Sequence, residues 1–124
     1  MGERAVRAVR GATTVHADDP ACIRAATREL LRILSDRNGI APSDVVSAVF
    51  TVTRDLTSEF PARAARELGW LDVPMLCTME IPVPGALPRC IRVLLHLETE
   101  RGRDAIEHVY LGEARTLRPD LLRD

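Results

Sequence analysis

The chain of 124 residues contains no lysine, so arginine supplies all 17 of its basic side chains. They are balanced by 18 acidic residues, and the formal net charge of −1 gives no electrostatic reason to expect nucleic acid or an anionic membrane as a partner. A guanidinium group can bind a carboxylate through two parallel hydrogen bonds, which an ammonium group cannot do. Some of these arginines are therefore candidates for binding an anionic ligand.

Sequence patterns for metal and nucleotide binding are also missing. The histidines, His16, His96 and His108, lack ligand spacing, and none of the three cysteines belongs to a C-x-x-C pair, so no metal site is expected. No glycine pattern of a nucleotide-binding loop occurs. Cys77 has no evident histidine to act as its base, and we interpret it as a small buried residue.

Membrane segments and disulfides are not expected either. No apolar run approaches the length that spans a bilayer, and the N-terminus lacks the apolar core of a signal peptide. Three unpatterned cysteines do not make a disulfide framework, so a cytoplasmic location is the simplest prediction. The sequence has no repeat and no linker, and residues 1–124 are predicted to form one domain.

Five segments have the apolar composition of β-strands. They are Ala5–Ala12, Val45–Val52, Val73–Ile81, Arg89–Glu98 and His108–Leu111. We expect the first strand to end in a tight turn at residues 11–14, and the last to be followed by an extended piece to Leu117.

One long helix and one or two short ones are predicted between these strands. The long helix begins at Pro20 behind an aspartate cap, continues to about Arg37, and ends at Asn38-Gly39. A short helix is expected at Ala62–Leu68, and Asp104–Glu107 can form one further turn.

These elements predict an α+β fold with a five-stranded mixed sheet. Val45–Val52 and Ile91–Leu97 carry apolar side chains on both faces, which is typical of strands that are buried on both faces. One long helix can cover only one face of such a sheet. The second face must meet something else, most simply the same sheet in another subunit, and we therefore predict an obligate homo-oligomer.

An acid, Glu80, and an arginine, Arg92, lie in the most apolar part of the chain, Met75–Leu97. Glu80 and Arg92 are costly in apolar strands unless they are exposed, paired with each other, or directed at a ligand. Arg10 lies at the end of its strand. The simpler interpretation is that its charge is solvated, and the more specific one is that it contacts an anion.

Six polar side chains lie at the ends of predicted elements. They are Arg10, Arg66, Glu80, Arg92, Tyr110 and Arg118. Several arginines with one acid and one tyrosine suit a small substrate that carries more than one carboxylate. No general base stands beside a nucleophile, so the set fits either binding or catalysis by positioning and electrostatics alone.

Six short motifs occur in an order and spacing that resemble one enzyme family. They are Arg10-Gly11-Ala12-Thr13-Thr14, Phe60-Pro61-Ala62, Cys77 with Glu80, Cys90-Ile91-Arg92-Val93, His108-Val109-Tyr110-Leu111 and Leu117-Arg118-Pro119-Asp120. Together they closely resemble the monofunctional chorismate mutases of the AroH class, from about Arg7 to Leu121.

The resemblance implies a homotrimer whose sheets form a pseudo-barrel core, with active sites at the subunit interfaces. It also implies a reaction, the [3,3]-sigmatropic rearrangement of chorismate to prephenate in aromatic amino-acid biosynthesis, with no cofactor and no covalent intermediate. Because the ether C–O bond breaks ahead of C–C bond formation, negative charge gathers on the ether oxygen. A fixed guanidinium beside that oxygen binds the transition state more strongly than the ground state.

The resemblance also implies catalytic roles for four residues. Arg92 would hydrogen-bond the ether oxygen, Arg10 and Tyr110 would hold a substrate carboxylate, and Glu80 would accept a hydrogen bond from the ring hydroxyl.

Further residues are implied as substrate contacts. Glu80 would be assisted by Cys77 and by the backbone of Leu76, Thr78 and Met79. Phe60 would form an apolar wall of the pocket, and Arg63 and Arg66 would lie near its mouth. Leu117 and Arg118 would belong to a mobile tail, residues 115–124, that closes over the pocket.

Two other classes of protein fit the same residues. A non-catalytic oligomer could bind a small dicarboxylate through its interfacial arginines. A structural oligomer could use Glu80 and Arg92 as a core ion pair, and it would bind no ligand.

Overall fold

The structure, a computed structural model, describes residues 3–117 and contains one five-stranded sheet with two α-helices. The elements in chain order are β1 (Ala5–Thr14), α1 (Pro20–Asn38), β2 (Val45–Val52), α2 (Ala62–Glu67), β3 (Met75–Met79), β4 (Cys90–Thr99) and β5 (Val109–Tyr110). Three short 3-10 helices lie between or after these elements, at Pro42–Asp44, Arg103–Ala105 and Gly112–Thr116.

The sheet is mixed, as the sequence predicts, and its strand order is β3-β2-β4-β1-β5. The central strand β4 is antiparallel to both neighbours, whereas the two outer pairs, β2 with β3 and β1 with β5, are parallel. The C-terminal ends of β1, β2, β3 and β5 therefore lie at the same edge of the sheet as the start of β4.

Helix α1 has the ends that its sequence predicts. The Asp19 carboxylate caps it by accepting a hydrogen bond from the Cys22 N–H at 3.1 Å, and Pro20 occupies the first turn. Gly39 ends it with φ 62°, a left-handed conformation that glycine adopts without steric cost. One stripe of the helix, including Ile23, Leu30 and Leu34, is buried.

The main core lies between α1 and one face of the sheet. Val9, Phe50, Val93 and Leu95 are buried there and pack in one apolar cluster with the leucines of α1. Gly11 allows close approach, because a Cβ at this position would lie only 2.7 Å from Leu34 Cδ1. We call this side of the sheet the helix face.

The opposite side, which we call the open face, has much less cover from the described residues. Val49, Leu94 and His96 lie on it and are only partly buried, and the short 3-10 helix at Gly112–Thr116 packs over one end. Val45–Val52 is thus not buried on both faces within one chain. That another subunit covers the second face stays a prediction.

Two sequence predictions about local structure are wrong. Residues 11–14 do not form a turn but continue β1, because pairing with β4 extends to Thr14 opposite Cys90. The segment after Tyr110 is not extended but forms the 3-10 helix Gly112–Thr116, which begins at a left-handed Gly112 with φ 57°. Arg118 and the rest of the predicted tail beyond Leu117 lie outside the described residues.

Residues 3–117 contain no helix that is both long and apolar enough to cross a membrane. In the same range, no group of three or more histidine, cysteine or acidic side chains is arranged to hold a metal ion. The three cysteines are not paired in disulfides.

Candidate active site

One row of side chains runs across the whole open face of the sheet. Strand register aligns Thr78 of β3, Thr51 of β2, Arg92 of β4, Ala12 of β1 and Tyr110 of β5. Since residues paired across strands point to the same face, three residues that the sequence analysis selects, Thr78, Arg92 and Tyr110, belong to a single row.

A cavity of about 710 Å³ lies over the middle of this row. It is lined by six of the predicted site residues, namely Arg10, Met79, Glu80, Arg92, Tyr110 and Leu117. Thr51 and apolar side chains such as Val49 and Leu94 complete its floor. We call it the sheet-face cavity.

Glu80 and Arg92 form an ion pair inside this cavity. Arg92 Nε donates to Glu80 Oε2 at 3.0 Å and lies 2.9 Å from Oε1, and the side chains are 44% and 17% exposed. The pair that the sequence left as one alternative is therefore present. The outer nitrogens of the guanidinium make no hydrogen bond to an oxygen of residues 3–117, so Arg92 retains donor capacity for a ligand.

Two further contacts fix Glu80. Thr51 Oγ1 donates to Glu80 Oε2 at 3.0 Å, and the Glu80 N–H donates to the Val52 carbonyl at 2.9 Å. Thr51 was missed by the sequence analysis. Its only signal was a hydroxyl in the otherwise apolar end of β2, and such hydroxyls are common on exposed strand faces.

Arg10 is the second cation of the cavity. Its side chain is exposed, and no carboxylate of the described part of the chain lies within 4.0 Å of its guanidinium. Its backbone N–H donates to His108 Nδ1 at 3.0 Å, a contact that sequence reasoning did not predict. Two guanidinium groups beside one carboxylate give the cavity an excess of positive charge, which favours an anionic ligand.

Tyr110 lines the cavity, and Cys90 lies in the same buried cluster at the start of β4. Both are buried and pack with Ala12 and Ala114. Burial raises the pKa of the Cys90 thiol to about 11, so this thiol is neutral near pH 7 and is not a ready nucleophile.

The remaining predicted residues gather around the outer edge of β3. Phe60, Cys77 and Thr78 line a second groove of about 400 Å³, which we call the edge groove, and Met79 lines both this groove and the sheet-face cavity. The Cys77 side chain lies in register with buried Phe50 on the helix face and packs against the main core. It therefore does not share a face with Arg92.

Three predicted contact residues line neither cavity. Leu76 lies on the open face of β3 and is 70% exposed, while Arg63 and Arg66 are exposed on α2. Arg63 lies 3.6 Å from Glu59, which pairs more closely with Arg24 at 2.7 Å. The single chain thus divides the predicted residues between the sheet-face cavity and the surface around the edge groove.

The sequence and the fold of the chain both match one family. The chain belongs to the family described as chorismate mutase type I, whose model matches residues 6–121. It is 55% identical to a protein named chorismate mutase AroH from Thermus thermophilus, over 94% of this chain and 96% of that protein. A second protein of that name, from Bacillus subtilis (strain 168), is 44% identical over 94% of this chain and 92% of its own length.

A solved structure supports the same assignment. The chorismate mutase from Clostridium thermocellum superposes with a TM-score of 0.88 and 44% identity, covering 89% of this chain and 98% of that one. The resemblance inferred from the six sequence motifs is thereby confirmed, and so is the five-stranded mixed sheet with one long helix.

Proposed function

We propose that this protein is a chorismate mutase, an isomerase that converts chorismate to prephenate. The observation that carries the proposal is the position of Arg92, which lies in the sheet-face cavity beside Arg10 and is held by Glu80. The reaction is intramolecular: one ether C–O bond breaks, one C–C bond forms, and no atom or electron is gained or lost. The protein needs no nucleophile for it, and the neutral, buried Cys90 supplies none.

Charge development gives Arg92 its proposed role. As the C–O bond breaks, negative charge grows on the ether oxygen, and the outer guanidinium nitrogens of Arg92 donate hydrogen bonds to it. Glu80 holds the inner nitrogen Nε during this step, so the guanidinium is oriented before the substrate arrives. A donor that is already oriented requires little reorganisation at the moment of reaction, which is the condition for effective electrostatic catalysis.

The other cavity residues orient the substrate. Arg10, whose guanidinium has no carboxylate partner among residues 3–117, binds a substrate carboxylate together with Tyr110. Glu80 accepts a hydrogen bond from the ring hydroxyl through its carboxylate, while Leu117 contributes an apolar wall. Arg118 is proposed to follow Leu117 in closing the cavity.

We further propose a homotrimer in which the edge groove of one subunit closes the sheet-face cavity of the next. The half-buried open face and the exposed side chains of Phe60, Leu76 and Ile81 support this arrangement, since such apolar surface is unfavourable in water. In the proposed trimer, the neighbouring subunit supplies further substrate contacts. They are the side chains of Phe60, Arg63, Arg66 and Cys77 and the backbone of Leu76, Thr78 and Met79.

The proposed setting is aromatic amino-acid biosynthesis in the cytoplasm. It rests on the activity itself, because prephenate is the precursor from which the phenylalanine and tyrosine side chains are made.

A direct assay tests the proposal and separates it from the two alternatives. We expect purified protein to cause a fall in chorismate absorbance, with prephenate as the product in equimolar yield. Calorimetric binding of chorismate without turnover would support a dicarboxylate-binding module instead. Neither turnover nor binding would support a structural oligomer.

A further inference from the structure

Arg89 has an unusual backbone conformation at the point where the chain enters β4. Its φ is 47°, and it is the one non-glycine residue with a positive φ between residues 3 and 117. The backbone of a residue that has a Cβ adopts this left-handed conformation at a steric cost. Neighbouring contacts must therefore hold Arg89 in place.

The Asp55 carboxylate supplies the main contact. Its oxygens accept the Arg89 N–H at 3.0 and 3.2 Å, so this backbone donor is satisfied by a side chain rather than by a strand partner. Thr53 links the Asp55 carboxylate to Cys90, the residue after Arg89. Its hydroxyl donates to Asp55 and accepts a hydrogen bond from the Cys90 N–H at 3.0 Å. Asp55 and Thr53 thus bind the first two peptide N–H groups that lead into β4.

These contacts connect the end of β2 to both ends of the loop at residues 81–88. At the first end, the Glu80 N–H donates to the Val52 carbonyl at 2.9 Å. At the second end, Asp55 holds Arg89, and the Thr53 N–H donates to the Cys90 carbonyl at 3.1 Å. The separation and direction of Glu80 and Arg92 therefore depend on contacts made by residues 51–55.

We propose that Asp55 is a positioning residue of the active site: it holds Arg89 in the left-handed conformation and so sets the direction in which β4 presents Arg92. Asp55 does not line the sheet-face cavity, and we assign its effect to its contact with the Arg89 backbone. The inference rests on the proposed function, because the proposed function is what gives Arg92 its contact with the transition state.

A double-mutant cycle between Asp55 and Arg89 tests this role. Glycine adopts a left-handed backbone without a Cβ clash, so Arg89→Gly removes the need for a clamp. We expect Asp55→Ala to lower kcat by about tenfold to a hundredfold, with a smaller change in KM, because displacement of Arg92 affects the transition state most. In the Arg89→Gly background, the same substitution is expected to lower kcat by less than about threefold.

Two control variants isolate the backbone effect. Arg89→Ala loses the same side-chain hydrogen bond to the Val15 carbonyl as Arg89→Gly but keeps a Cβ, so it should not rescue Asp55→Ala. Asp55→Asn retains one acceptor oxygen and should recover most of kcat. Circular dichroism and oligomeric mass confirm that each variant is folded.

Three results would overturn the inference. The first is a folded Asp55→Ala variant with the kcat of the wild type. The second is a reduction in kcat by Asp55→Ala that is as large in the Arg89→Gly background as in the wild type. The third is equal rescue of the kcat of Asp55→Ala by Arg89→Ala and by Arg89→Gly. A wild-type protein that does not convert chorismate would overturn the proposed function first, and the inference with it. Activity of the wild type thus separates the two failures.

Discussion

The Glu80 carboxylate shows how much of the site depends on single contacts. Its charge and place in the sequence identify it as a candidate, but its contacts with Thr51 and Arg92 depend on strand register, which local sequence does not determine. The pairing of β2 with β4 places Thr51 beside Arg92, and its hydroxyl reaches Glu80, which follows β3. Sequence reasoning could thus find Glu80 and Arg92, but not the hydroxyl that orients them.

Thr51→Val and Thr51→Ser form a matched pair that tests this hydroxyl. Valine keeps the shape of threonine but cannot donate to Glu80, and a hydrogen bond to a charged group contributes about 1.5–3 kcal/mol. We expect Thr51→Val to lower kcat/KM by about tenfold or more, whereas Thr51→Ser should retain activity within about threefold. Steady-state chorismate kinetics measure both, and equal activity of the two variants would contradict the role of the hydroxyl.

Among the secondary-structure elements, β1 shows where prediction from sequence failed. The glycine and threonines at residues 11–14 favour a turn by composition, yet long-range pairing with β4 keeps them extended. Helix α1, by contrast, was predicted well because its cap, its apolar spacing and its terminal glycine are all local signals. Glycine suits position 11 because α1 packs directly over it.

Gly11→Ala is expected to destabilise the contact between α1 and β1. The new Cβ would lie 2.7 Å from Leu34 Cδ1 and 3.1 Å from Leu30 Cδ1, and overpacking of this kind costs about 1–3 kcal/mol. Because Leu34→Ala removes the closest atom, the double variant should be more stable than the sum of the two single effects implies. Urea unfolding measures this coupling, and strict additivity would contradict the packing explanation.

For the whole molecule, the sequence predicted assembly from strands that are apolar on two faces. The single chain supports the premise, since the helix face is buried while the open face, with Val49 and Leu94, is only half-buried. Strand composition was sufficient to predict another subunit, and this stays a prediction. It was not sufficient to place the residues around the edge groove, because their separation from Arg92 depends on the sheet order.

Two exposed leucines provide a matched test of the assembly. Leu76 lies on the open face of edge strand β3, whereas Leu71 lies in the connecting segment before it, and they are 70% and 81% exposed. We expect Leu76→Asp to reduce the proposed trimer to monomers and to abolish activity, because a charge buried in an apolar interface is strongly unfavourable. Leu71→Asp should leave both unchanged. Light scattering after size-exclusion chromatography gives the masses, and a monomeric wild-type protein would contradict the trimer.

The most direct test of the whole account is the turnover of Arg92→Lys. Lysine keeps the positive charge but loses the planar group that Glu80 orients through Nε, and loss of a preorganised donor costs on the order of 3 kcal/mol. We predict that kcat for chorismate falls by at least about a hundredfold with the oligomeric mass unchanged. Arg32→Lys, on the exposed side of α1, should keep wild-type kcat. If Arg92→Lys converts chorismate at the wild-type rate, the electrostatic role of Arg92 is wrong.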